Sequence, residues 1–88
     1  MKHFKYHLIK IKHKNNTSLT EYDKKRINRD YLIAEVQFNH PCIVLCQDDD
    51  YSGFYTSNVV AIDNTDNHLT LGTMNTTYYF TKKEVVEE

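Results

Sequence analysis

FYTSNVVAIDNTDNHLTLGTMNTTYYFT, residues 54–81, holds three runs rich in Thr, Val, Ile, Leu and Tyr, separated by two polar stretches. β-Branched and aromatic residues favour extended backbone. NTDNH (64–68) and Asn75-Thr76 supply the short polar residues that let a chain reverse. The stretch therefore predicts strands over 54–63, 69–74 and 77–81, each antiparallel to the one before. Gly72 falls inside the second, where a missing side chain marks a bend or bulge.

Upstream, CIVLC (42–46) is apolar at every position and reads as a central strand covered on both faces. Leu32, Ala34, Val36 and Phe38 alternate with Tyr31, Ile33, Glu35 and Gln37, an amphipathic strand that Asn39-His40-Pro41 ends. Near the start, Phe4, Tyr6 and Leu8 alternate with His3, Lys5 and His7. The apolar parity then moves to Ile9 and Ile11. A shift by one residue is the mark of a β-bulge. KNNTS (14–18) is a loop. Ser18-Leu19-Thr20-Glu21 has the form of a capping box and predicts a helix over 19–29, with a thin apolar stripe of Leu19, Tyr22 and Ile27. KKEVVEE is expected as a frayed or helical tail. The fold class is mainly β with some α. It is an antiparallel meander of five or six strands or a half-open small barrel, with one short helix in the first third. The first strand is expected at a sheet edge.

With 88 residues the chain makes one domain, 1–88. It buries about 60–65% of its unfolded surface, so oligomerisation is a natural supplement. No apolar run is long enough for a membrane helix. The lysines and histidines threaded through MKHFKYHLIKIKHK exclude a signal peptide's apolar segment. The expected location is the cytoplasm, with Cys42 and Cys46 as reduced thiols. Net charge is −1 but divided. Residues 1–30 carry nine Lys/Arg against three Asp/Glu, a surplus of six; residues 31–88 carry two against nine, a deficit of seven. Such a split marks two binding faces or two solvated ones.

Candidate chemistry is sparse. In QDDDYSG (47–53), Asp48, Asp50, Ser52 and Gly53 match the opening of a calcium loop. The twelfth position is Val59 where a bidentate carboxylate is needed, and both flanks are strand-like. The stretch reads better as an acidic connection, with Gly53 supplying a positive φ. Cys42 and Cys46 lie about 13 Å apart in an extended strand, too far to share one zinc ion, and point to one face as core thiols. His3 and His7 are equally far apart. No nucleophile elbow, glycine-rich phosphate loop or facing pair of carboxylates occurs. No cofactor, metal or catalytic residue is assigned.

Residues 56–80 carry Thr56-Ser57, Val59-Val60, Thr73, Asn75, Thr76, Tyr78 and Phe80. The series resembles a pattern in short bacteriophage- and prophage-encoded β-hairpin proteins: Thr-Ser, a β-branched run, a polar turn, then Thr-x-Asn-[ST]-x-Tyr and an apolar residue. The resemblance covers about a quarter of the chain. It implies a mobile-element protein acting inside a bacterium, and it transfers no catalytic residue. Tyr79 and the basic first third lie outside the pattern.

Together these readings point to a small non-enzymatic phage-type binding protein. Its expected action is to inhibit or sequester a host defence component, a protein or an anionic signalling nucleotide, by stoichiometric binding. Arg26 and Arg29 are the candidates for an anionic partner. Asp48, Asp49, Asp50, Tyr51 and Tyr55 are the candidates for a basic one, tyrosine being favoured at interfaces. A homo-oligomer is expected. Two alternatives remain. One is a nucleic-acid-binding protein using the basic residues 1–30, in which Phe4, Tyr6, Tyr22 and Tyr31 interleave with the cations. The other is an accessory structural subunit of a virion.

Overall fold

A computed structural model describes residues 2–33, 35–46 and 53–86. Its elements are β1 (Lys2–His13), a 3₁₀ turn (Lys14–Asn16), α1 (Glu21–Arg26), β2 (Asp30–Ile33), β3 (Pro41–Cys46), β4 (Phe54–Asn64), β5 (His68–Thr73) and β6 (Thr76–Val86). Each strand pairs antiparallel with the next, and β6 returns to β1 to close a six-stranded barrel. The expected meander is present, but it is closed rather than half-open. β1 is therefore not an edge. It pairs with β2 through Tyr6↔Tyr31 and His7↔Asp30, and with β6 from Lys2↔Val86 to His13↔Thr76. KKEVV is strand where a frayed or helical tail was expected, with Lys83 opposite Lys5 and Val85 opposite His3. No helix among the described residues is long and apolar enough to cross a membrane.

Closing so few strands requires bends, and bulges supply them. The first lies between Leu8 and Lys10, where the sequence parity shift placed it. Leu8 and Ile11 both point inward although three residues apart, and Ile9 is left outside, 45% exposed. Two more interrupt β4, opposite Pro41–Ile43 and between Val59 and Ala61. Gly72 faces the last of these, where an added Cβ would stand 3.1 Å from that of Ala61.

The interior is filled by Leu8, Ile11, Tyr31, Cys42, Val44, Cys46, Phe54, Val59, Leu69, Leu71, Tyr78 and Phe80. Tyr31 sits edge-on to both Phe54 and Phe80, with centroids 5.6 and 6.4 Å away. Its hydroxyl donates to the Arg26 carbonyl at 2.7 Å, which ties the end of α1 to the core. Cys42 and Cys46 are both buried on the inner face, as free thiols. Burial pushes the Cys42 thiol above its ordinary range.

Four local expectations are corrected. α1 is shorter than 19–29, and its capping box is Thr20 with Asp23, not Ser18 with Glu21. The strand expected over Tyr31–Phe38 stops at Ile33 with its faces exchanged: Tyr31 is fully buried, while Leu32 and Phe38 are exposed. β3 is covered on one face only, since Ile43 and Leu45 are 46% and 49% exposed. Gly53 has no positive φ. Its lack of a side chain instead admits the Val44 carbonyl, 3.1 Å from where a Cβ would stand.

Candidate functional site

The expected site residues are not gathered in one place. Asp48, Asp49, Asp50 and Tyr51 lie outside the described residues. Arg26 closes α1, one-third exposed, with its guanidinium 4.4 Å from the centre of the Phe54 ring and 3.9 Å from Asp23 Oδ1. It is thus drawn toward the barrel wall rather than presented like Lys24 and Lys25, which are exposed. Arg29 lies beyond the helix and is half-buried, and its carbonyl accepts the Leu8 amide at 3.1 Å. Tyr55 is 74% exposed on β4. The aromatics expected to interleave with the basic residues are dispersed. Tyr31 is core, Tyr6 is half-buried against it, and Phe4 stacks near Tyr6 with the Lys82 ammonium 4.4 Å above its ring. Tyr22 alone of the four is largely exposed.

One polar chain escaped the sequence reading. His13 Nε2 lies 2.6 Å from Asp23 Oδ2, and His13 Nδ1 lies 2.8 Å from Thr76 Oγ1. Burial raises the nearby Tyr78 hydroxyl above its ordinary range. Asp23 is buried. Burial alone would raise its carboxyl; the hydrogen bonds from His13 and from the Thr20 amide and hydroxyl outweigh it and hold the group below the usual carboxylate range. An ionised carboxylate only accepts, so His13 Nε2 is the donor of this bond. The chain continues through Thr73, whose hydroxyl accepts from Ser57 Oγ at 2.8 Å and the Thr76 amide at 3.1 Å and donates to the Thr76 carbonyl at 2.7 Å. Thr56 accepts the Cys42 amide at 2.9 Å beside the first β4 bulge.

Hydroxyl, imidazole and carboxylate in line are the groups of acyl-transfer catalysis. Thr76 is 5% exposed, and each ring nitrogen is held by a partner. A cleft of about 430 Å³ opens beside His13, between the 3₁₀ turn and Met74-Asn75. The chain of bonds is a strut that fixes α1 against the barrel rim. Ser57, Thr73 and Thr76, quoted above for the phage pattern, belong to it, whereas the Thr56 hydroxyl bonds the Cys42 amide and the Ser57 carbonyl. Among the described residues no three His, Cys, Asp or Glu side chains are placed to hold a metal ion.

The surface with more to offer is the outer face of β2, β3 and β4. Leu32 stands opposite Leu45, and Ile43 opposite Tyr55. Ile43 and Leu45 are two apart on one strand and share a face. Four large side chains across three neighbouring strands thus turn outward, from 38% exposed at Leu32 to 74% at Tyr55. Paired residues lie about 4.5–5.5 Å apart at Cβ, so the group is contiguous. Of the four, the sequence reading named only Tyr55. The signal for Ile43 and Leu45 was CIVLC itself, whose unbroken apolar run was read as two covered faces; Leu32 belonged to the apolar set of the strand expected before it.

Comparison with protein-family models, curated proteins and solved structures yields no match to this chain.

Proposed function

We propose that the chain is a non-enzymatic binding module that occupies a protein partner stoichiometrically through the outer face of β2–β4. One observation carries the reading: Leu32, Ile43, Leu45 and Tyr55 form a contiguous, exposed, uncharged patch on a rigid sheet. Patches of this kind mark interaction sites on monomeric proteins. A core depleted of charge and holding a tyrosine anchor is the composition of a protein interface. The His7–Asp30 pair, 2.8 Å apart on the β1 flank, supplies a polar rim. The further reading of the partner as a host defence component met in the bacterial cytoplasm rests on the resemblance of residues 56–80 to short phage proteins.

The test is native mass spectrometry on protein purified gently from a bacterial host, with Ile43→Glu/Leu45→Glu beside the wild type. The expected result is a fixed-ratio complex with a second protein that the double variant loses, while Arg26→Glu/Arg29→Glu retains it. A complex that survives in Ile43→Glu/Leu45→Glu removes this face from consideration. A homo-oligomer as the sole species lost would reassign the face to self-association.

A further inference from the structure

The opposite side of the barrel has a different character. Register pairs share a face of the sheet, so the strand ladders give its outward rows directly. Lys10 pairs with Tyr79, Tyr79 with Thr70, and Thr70's partner on β4 is Asp63. One row along, Lys12 pairs with Thr77 and Thr77 with Gly72. On the other side of Tyr79, Thr81 pairs with both His7 and His68; beyond it Lys5 stands opposite Lys83. Inward positions between these rows are the core residues Leu8, Ile11, Leu69, Leu71, Tyr78 and Phe80. Within the spans 5–12, 68–72 and 77–83, no outward position of β1, β5 or β6 is a carboxylate. Carboxylates flank the face: Asp30, paired to His7, on β2, Asp63 on β4, and the exposed Glu84 next to Lys83 on β6.

From this arrangement we infer that the β5–β6–β1 face binds single-stranded nucleic acid, with Tyr79 as the stacking platform and Lys5, Lys10, Lys12 and Lys83 along the phosphates. The inference is independent of the protein-binding reading, which uses the other side of the barrel. Three observations carry it. First, the face combines an aromatic ring with lysines on a rigid sheet, the pairing that holds unpaired strands without reading their sequence. Second, like charges directly opposite one another are unfavourable, and Lys5 opposite Lys83 is relieved by an anion lying between them. Third, Tyr79 is half-buried in the middle of this face, and the Lys10 ammonium stands 5.4 Å from its ring centroid, a contact that a base can replace. The overall net charge of −1 conceals this face, because the acids lie elsewhere in the fold.

The test is fluorescence anisotropy with a labelled oligothymidylate of about 15 nucleotides, over a range of salt concentrations. The wild type is expected to bind with an affinity that falls linearly in log–log form with salt. Lys10→Glu/Lys12→Glu should weaken binding at least tenfold and flatten the salt slope. Tyr79→Leu should weaken it about tenfold with the slope unchanged, and Tyr79→Phe should behave as the wild type. Thermal unfolding followed by circular dichroism checks that each surface variant folds. Absence of salt-dependent binding by the wild type overturns the inference. So does binding that Lys10→Glu/Lys12→Glu leaves intact, or binding of polyglutamate in place of the oligonucleotide.

Discussion

Asp23 shows how one side chain can join three parts of a small protein. Its Oδ2 takes the Thr20 amide at 2.9 Å and His13 Nε2 at 2.6 Å, so the helix cap, the end of β1 and, through Thr76, the start of β6 meet at one carboxylate. Because its folded pKa is depressed, the group stabilises the protein above the ordinary carboxylate range. That contribution is lost as the pH falls through the depressed value. Asp23→Asn keeps the shape and removes the charge. It should cost about 1–3 kcal/mol at neutral pH, measured by urea unfolding, and the gap from wild type should close on acidification. This residue was half legible in the sequence. Ser18-x-x-Glu21 and Thr20-x-x-Asp23 both have the form of a capping box and overlap by two residues. Local chemistry cannot choose between them; His13, ten residues away, chooses Asp23.

At the scale of the element, β3 is the sharpest case. Its place, length and extended backbone were legible, and its faces were not. A continuous apolar run signals burial on both sides when a second layer covers the sheet. A closed barrel with one short helix has no such layer over β3, so alternate positions meet water whatever their polarity. The consequence is a steep contrast within one strand. Val44→Ala, at a fully buried position, should cost about 2–3 kcal/mol. Ile43→Ser, one residue away, should change stability by no more than about 0.5 kcal/mol; urea unfolding of the two variants compares them. β2 was misread for a related reason. Alternation located the strand but put the Leu32 set inward, whereas Tyr31 takes the inner side because its ring fits between Phe54 and Phe80 and its hydroxyl reaches the Arg26 carbonyl. The bulge at Ile9, by contrast, was readable, since a parity change in one strand needs no knowledge of the rest of the fold.

At the scale of the whole molecule, the order and direction of the strands were legible and the closure was not. Each hairpin is signalled by its own turn, whereas the β1–β6 seam joins the two ends of the chain and leaves no local mark. The seam also puts lysines from both ends on one face, which counting charge along the sequence had assigned to the first third alone. Folding should feel this topology. Refolding after a urea jump should fall in the range of roughly milliseconds to seconds typical of non-local β pairing. Stopped-flow tyrosine fluorescence can follow it, since the chain has no Trp and Tyr31 and Tyr78 are buried; a microsecond phase carrying the full amplitude would contradict it. The seam has a last consequence, for synthesis in the cell. Within this barrel β1 is made first, and its longest partner, β6, is made last. Until residue 86 is clear of the exit tunnel, the β1 backbone has no β6 to bond. While the rest of the barrel is being made, that edge of β1 therefore stands open to chaperones and proteases.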